Sequence, residues 1–140
     1  MTEAFTVEVL RAEHDRTNFS CGATALDRYF RELVSQDVRR RLSNCFVALD
    51  QAATVAGYYT FAASGVPFTE LPAEQARRLP RYPSVPAALI GRLAVDRRLQ
   101  GRGVGSIMIV DAVARAMRAD SAIYALVVDA KDDLASTTSA

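Results

Sequence analysis

Apolar and polar residues alternate at Phe5, Thr6, Val7, Glu8 and Val9, the period of two that predicts a half-buried strand ending near Leu10. Residues 12–19 are polar and predict a turn or a short helix, and Cys21-Gly22 interrupts the chain. From Thr24 the period lengthens. Leu26, Tyr29, Phe30, Leu33, Val34 and Val38 fall on one helical face, with Thr24 as the predicted cap and Asp27 reaching back as in a capping box. Residues 45–49 and 54–64 are two apolar runs joined by Asp50-Gln51-Ala52-Ala53, which predicts an antiparallel hairpin with Gly57 at a bulge beside a ligand. Tyr58 and Tyr59 project to opposite faces of that strand, so one ring is expected in the core and the other at a cleft.

Residues 65–86 hold all five prolines and predict a long connection with one helical turn over residues 73–79, the kind of loop that serves as a functional flap. Residues 87–95 are an apolar, branched run that reads as a buried strand. Gly101, Gly103 and Gly105 then alternate, and helical spacing occupies residues 106–117. Residues 122–128 are a further short strand, and residues 129–140 lack either period and read as an irregular tail. The expected organisation is one domain over residues 1–128 followed by that tail.

Strand, glycine turn and helix in this order place unshielded backbone N–H groups at the positive end of a helix, which suits phosphate or pyrophosphate. The charge pattern agrees. Net charge is only +1, yet residues 77–118 hold nine arginines against two aspartates, and 16 of the 17 basic residues are arginine, the residue suited to forked phosphate contacts. Arg39, Arg40, Arg77, Arg78, Arg81 and Arg92 are the candidate nucleic-acid contacts, although Arg39 and Arg40 equally suit the carboxyl end of a helix. Cys21 and Cys45 lack metal or redox spacing, no cluster of metal ligands is evident, and His14 is given no role. No apolar run reaches the length of a membrane span and the first residues are not a secretory leader, so a cytoplasmic, non-membrane protein is expected.

Three readings of the glycine turn compete. A nucleotide-hydrolysing loop needs Lys-Ser or Lys-Thr after the last glycine, where Ser106-Ile107 stands. A dinucleotide fingerprint needs Gly or Ala at Ser106 or at Met108, although Asp129 imitates its ribose-binding acid. Gln100-Gly101-Arg102-Gly103-Val104-Gly105 instead satisfies (Gln/Arg)-x-x-Gly-x-(Gly/Ala). That pattern, the preceding Leu93-Ala94-Val95-Asp96 and the order of elements over residues 5–128 resemble the GNAT acetyltransferases. The segments FSCGATALDRYF, QDVRRRLSNCFVA, GRLAVDRRLQGRGVGS and LVVDAKDD are similar, more narrowly, to GNAT toxins of bacterial toxin–antitoxin pairs.

The resemblance implies an α/β (α+β) GNAT fold, a mixed, mostly antiparallel sheet flanked by helices. It implies acetyl-CoA as cosubstrate and no metal. It implies aminoacyl-tRNA as acceptor, a ribbon-helix-helix antitoxin as partner, a homodimer, and a bacterial cytoplasmic setting. The backbone of Gln100, Gly101, Arg102, Gly103, Val104, Gly105 and Ser106 would hold the pyrophosphate. Leu93, Ala94 and Val95 would line the pantetheine arm, with the Val95 N–H facing the thioester oxygen, and Asp129 and Ala130 would flank the far side of coenzyme A. The family's thiol-protonating tyrosine lies a few residues past the equivalent of Lys131, and no tyrosine follows Tyr124 here. The catalytic residue is therefore unassigned. The expectation is a truncated or frame-shifted member, missing the last helix and two strands, with impaired toxin activity. A GNAT acting on small amines or protein amino groups, and an inactive acetyl-CoA- or antitoxin-binding module, are the competing readings.

Overall fold

The computed structural model of the chain describes residues 4–130 and 134–139. One six-stranded sheet runs in chain order: β1 (Thr6–Val9), β2 (Asn44–Leu49), β3 (Val55–Pro67), β4 (Ser84–Val95), β5 (Ala125–Ala130) and β6 (Leu134–Ser139). All neighbours are antiparallel except β4 and β5, which are parallel. The crossover between those two is α4 (Val104–Arg118), the one long helix among the described residues.

Helix α1 (Thr24–Arg28), a π turn (Tyr29–Leu33) and α2 (Val34–Arg39) cover one face of the sheet. The apolar spacing is as the sequence predicts, but the π turn rotates the stripe, so Leu33 stands 38% exposed while Phe30 and Val34 are fully buried. Thr24 is not the cap. Ala23 holds that position without a side-chain bond, and Asp27 reaches back past it to accept the Cys21 N–H at 2.8 Å. Neither half of the expected box forms, because the Asp27 carboxylate serves the Cys21 N–H rather than that of a cap residue.

Successive residues of β3 feed opposite cores. Tyr58 stacks on Phe30 with ring centroids 4.2 Å apart and planes 3° from parallel, and Phe19 meets both rings edge-on. Tyr59 packs with Phe46, Val104, Met108 and Ala112 beneath α4. Both tyrosines are fully buried, so neither lines a cleft. Each hydroxyl is satisfied inside, Tyr58 donating to the Leu26 carbonyl at 2.8 Å and Tyr59 to Asp111 Oδ2 at 2.6 Å.

The proline-rich connection is shorter than its composition implies, because β3 extends to Pro67 and β4 starts at Ser84. Between them a 3-10 turn (Phe68–Glu70) and α3 (Ala73–Ala76) form a flap whose Leu71 packs, with Val66 of β3, against Val85, Ala87 and Ala125. Residues 12–19 form turns, and His14 is tied down between the Arg11 N–H and Glu8. The expected irregular tail is a correction. β5 carries on to Ala130, and Leu134–Ser139 returns beside it with Ala130 opposite Leu134 and Ala125 opposite Ser139. Small and β-branched residues without periodicity carry no sequence signal for a strand, yet backbone pairing with β5 requires none. Lys131, Asp132 and Asp133 lie outside the described residues.

Candidate functional site

The site begins with a divergence inside the sheet. β4 and β5 pair from Ala87 opposite Ala125 to Ile90 opposite Val128, and the pairing then ends. At the same level β4 bulges against β3: Tyr59 faces Leu93 while Phe61 faces Ile90, so Thr60 stands opposite both Gly91 and Arg92. Thr60 Oγ1 accepts the Arg92 N–H at 3.0 Å, and a Cβ on Gly91 would lie 3.4 Å from that oxygen. Beyond the bulge, residues 91–95 run on with an edge that β5 does not cover.

Antiparallel pairing alternates which edge a residue serves. The Asp96 N–H donates across to the Ala56 carbonyl at 2.8 Å, so Asp96 and Ala94 turn their backbone groups toward β3. Leu93 and Val95 therefore turn theirs into the divergence. Of the expected trio, Leu93 and Val95 present polar groups there and Ala94 does not. The Val95 carbonyl is already taken by the Gln100 side-chain amide at 3.0 Å. The Val95 N–H remains on the open edge.

The glycine turn is shaped by backbone rather than by packing. Gly101 and Gly103 have φ of +82° and +83°, left-handed values that only glycine adopts without strain, and a Cβ at either would meet nothing within 4 Å. The space in front of them is open. Gly103 is the N-cap of α4 and the first helical bond runs from the Ile107 N–H to its carbonyl at 3.0 Å, so the N–H groups of Val104, Gly105 and Ser106 precede the ladder. Gly105 sits where a Cβ would be in ordinary contact with Leu93 and Val95.

Asp96 anchors the turn that leads into this loop. It is buried, caps the 3-10 turn Arg97–Leu99, and accepts from the Arg98 N–H and Nε at 3.0 and 2.9 Å and from the Ser20 N–H at 3.3 Å. Burial alone would raise its pKa, but the bonds from Arg98 and Ser20 hold the carboxyl below its ordinary value. Midway along α4, Asp111 Oδ2 accepts from Tyr59 and, at 2.7 Å, from Arg115 Nε, whose guanidinium lies 3.9 Å from the Phe46 ring centroid. These contacts fix the helix whose first turn faces the divergence.

The opposite wall was not assigned from sequence. Cys21, Gly22, Ala23 and Leu26 face Leu93, Ala94, Val95 and Gln100 across a groove of about 640 Å³. Gln100 ties the two sides together, donating to the Cys21 carbonyl at 2.9 Å as well as to Val95. Gly22 is the signal that was available, with φ +98° at the corner of this wall. Burial pushes the Cys21 thiol up, so it stays protonated at neutral pH and is a poor nucleophile.

The candidate arginines fall on three separate elements. Arg39 and Arg40 are exposed at the end of α2, and Arg81 is exposed on the flap. Arg77 and Arg78 share the carboxylate of Glu74 at 2.9 and 4.0 Å. Arg92 is half-buried, its guanidinium 3.6 Å from the centroid of Tyr29, whose hydroxyl donates to Asp37 at 2.6 Å. Arg102 is exposed in the glycine turn, and Asp129 is exposed one residue past the last β4–β5 pair. Among the described residues no cluster of metal ligands is present, and no helix is long and apolar enough to cross a membrane.

The chain is 38% identical over 109 residues to the "tRNA-acetylating toxin" of Mycobacterium tuberculosis, covering 78% of this chain and 64% of that protein. It is 29% identical over 103 residues to the "Probable toxin TacT" of Sinorhizobium fredii, covering 73% of this chain and 57% of that protein. It thus spans less than two thirds of either relative. Among solved structures, AtaT complexed with acetyl-methionyl-tRNAfMet superposes with a TM-score of 0.82 at 28% identity, over 93% of this chain and 80% of that one. AtaTR bound with AcCoA gives 0.72 at 28%, over 89% and 76%. Residues 7–137 match the Acetyltransferase (GNAT) family, and the chain belongs to it.

Proposed function

We propose that this chain uses acetyl-CoA to acetylate the α-amino group of aminoacyl-tRNA, the chemistry of a translation-blocking toxin. The observation that carries the reading is the open β4 edge leading into a left-handed glycine turn, in a chain 38% identical to a tRNA-acetylating toxin. Acetyl-CoA supplies an activated thioester to the attacking amine. The chain's part is positional and electrostatic. N–H groups of residues 101–106 neutralise the diphosphate, Leu93 and Val95 offer backbone partners to the pantetheine arm, and the Val95 N–H faces charge developing on the thioester oxygen.

Direct transfer suits these residues. Cys21, the thiol that lines the groove, is held protonated, and Cys45 is buried with its pKa pushed up to about 12 by loss of solvent. The hydroxyls of Tyr29, Tyr58, Tyr59 and Tyr124 are committed to Asp37, Leu26, Asp111 and Gln75. The proton donor to the departing thiolate is thus not assigned to any of them. Arg77, Arg78 and Arg81 on the flap, with Arg92 beside Tyr29, are the polyanion contacts in this reading. A ribbon-helix-helix antitoxin, a homodimeric state and a cytoplasmic setting complete it.

The test is acetyl transfer from labelled acetyl-CoA to charged tRNA, spermine and a lysine-bearing peptide in parallel. Preferential labelling of charged tRNA supports the proposal. Equal labelling of all three points instead to a general amine acetyltransferase. Acetyl-CoA binding without transfer to any of them leaves only a binding module.

A further inference from the structure

β3 is more than twice as long as its neighbour β2, and the difference leaves a bare edge. Pairing with β2 ends where Asn44 faces Phe61, so residues 62–67 are held by β4 on one side and by no strand on the other. Alternation fixes which groups stand open. The Ala56 carbonyl serves β4, and the Phe61 carbonyl turns the other way, toward the Ser43 hydroxyl at 3.5 Å. Ala63 and Gly65, two and four residues on, therefore present their N–H and C=O groups to the uncovered side, and both are exposed.

Natural sheets blunt such an edge with charge, proline, a bulge or brevity. β1, at the sheet margin, is four residues long and carries Glu8. The β3 overhang has one such device, Pro67 at its very end, and none over residues 62–66, whose sequence is Ala-Ala-Ser-Gly-Val. It forms instead one wall of a groove of about 720 Å³, with Ala87, Ala88 and Ala122 as further small lining residues. Arg41 and the 62%-exposed Leu42 stand where β2 begins. Arg39, Arg40 and Arg41 are consecutive and exposed, and among the described residues no ion pair engages them.

We propose that this edge docks an extended segment of a partner protein, which adds to the sheet antiparallel to β3 in the line of β2 and ends in acidic residues against Arg39–Arg41. The backbone of Ala63 and Gly65 supplies the ladder, the small side chains give room, and the arginines fix direction. The occupant is a polypeptide rather than a nucleic acid because paired N–H and C=O groups repeating every second residue match only another extended backbone. The inference does not depend on the acetylated substrate.

The probe is the peptide acetyl-Thr-Val-Thr-Val-Thr-Glu-Glu-Glu-amide, with binding to this chain read by fluorescence anisotropy. Two analogues are N-methylated on the odd or on the even residues. One should lose at least tenfold in affinity while the other binds normally, because an added strand uses alternate N–H groups; equal affinities of the two overturn the proposal. Ala63→Pro removes an edge N–H that no protein group uses, and proline is tolerated on an edge. It should abolish peptide binding and leave the melting temperature and acetyl-CoA affinity unchanged. Undiminished peptide binding by that variant overturns the proposal, as does displacement of the peptide by a uridine oligonucleotide that binds wild type and Ala63→Pro alike.

Discussion

The β3–β4 hairpin has two ends, and they are built by different means. At the upper end β4 leads into Asp96, Gln100 and the glycine turn, where each element is held by a hydrogen bond to a partner distant in sequence: Asp96 to Ser20, Gln100 to Cys21, and the Asp96 N–H to Ala56. At the lower end lie the flap, four prolines between Pro67 and Pro83, and arginines whose partners are a single surface carboxylate or solvent. The upper end offers backbone groups in one fixed shape. The lower end offers charge, which tolerates movement. A small invariant ligand suits the first, and a large polyanion suits the second.

The sharpest way to break that contrast is Gly103→Val. A Cβ there meets no protein atom within 4 Å, but φ at +83° is strained for a branched residue and the Cβ enters the open space before α4. Acetyl-CoA affinity by calorimetry should fall more than 100-fold, against a stability loss of about 1–3 kcal/mol. Unchanged affinity would falsify the loop's assignment.

Asp96→Ala tests whether the upper end depends on its buried anchor. Three donors lose their acceptor, and the cost should be about 2–3 kcal/mol of stability in urea titration, with acetyl-CoA binding weakened rather than abolished. The pH dependence has a fixed sign. The folded-state carboxyl is depressed, so its contribution is fully present above the ordinary aspartate pKa and disappears as pH falls through the lowered folded value. The stability gap between wild type and Asp96→Asn should be constant above about pH 5 and should narrow below about pH 4. A gap that widens in acid contradicts the assignment.

What the sequence carries about each end follows the same division. The glycine turn is legible because left-handed backbone at Gly101 and Gly103 constrains residue type directly. The β2–β3 hairpin and β4 are legible as apolar runs because the sheet is covered on both faces, and α4 because one buried face imposes a period. The site's second wall is not, since Gln100 reaches Cys21 across 79 positions and neither residue is unusual alone. The divergence of β4 from β5 depends on a register shift at Thr60, which no residue pattern announces. The burial of both tyrosines of β3 is hidden for a related reason. A tyrosine on the second face reads as cleft-lining unless Asp111, on another element, is known to receive its hydroxyl.

Tyr59→Phe measures that buried bond and ranks below Asp96. The ring still fills its place against Phe46, and Asp111 keeps Arg115, so only one hydrogen bond to a charged acceptor is lost. About 1.5 kcal/mol, a drop of about 5 °C in Tm, is expected, with little change in acetyl-CoA affinity because α4 retains its packing on Met108 and Val104. A large loss of affinity would mean that the hydroxyl helps hold the helix end that faces the cosubstrate.

The smallest structural effect belongs to the flap. Replacing Arg77, Arg78 and Arg81 by Gln together removes two exposed contacts to Glu74 and should change stability by under about 0.5 kcal/mol. Acetyl-CoA affinity should not move, because none of the three adjoins the groove beside β4. Affinity for charged tRNA should fall threefold to tenfold, roughly, at moderate salt, and the slope of log affinity against log salt should flatten by about two charges. Base identity should matter little, since these side chains meet phosphates and carry no pattern of their own. An unaltered salt slope would remove the flap from the RNA surface and leave Arg92, pinned over Tyr29 in a fixed orientation, as the arginine that reads the acceptor. Recognition of the polyanion would then depend on a fixed guanidinium on β4 rather than on the flap, and the contrast between the two ends would fail.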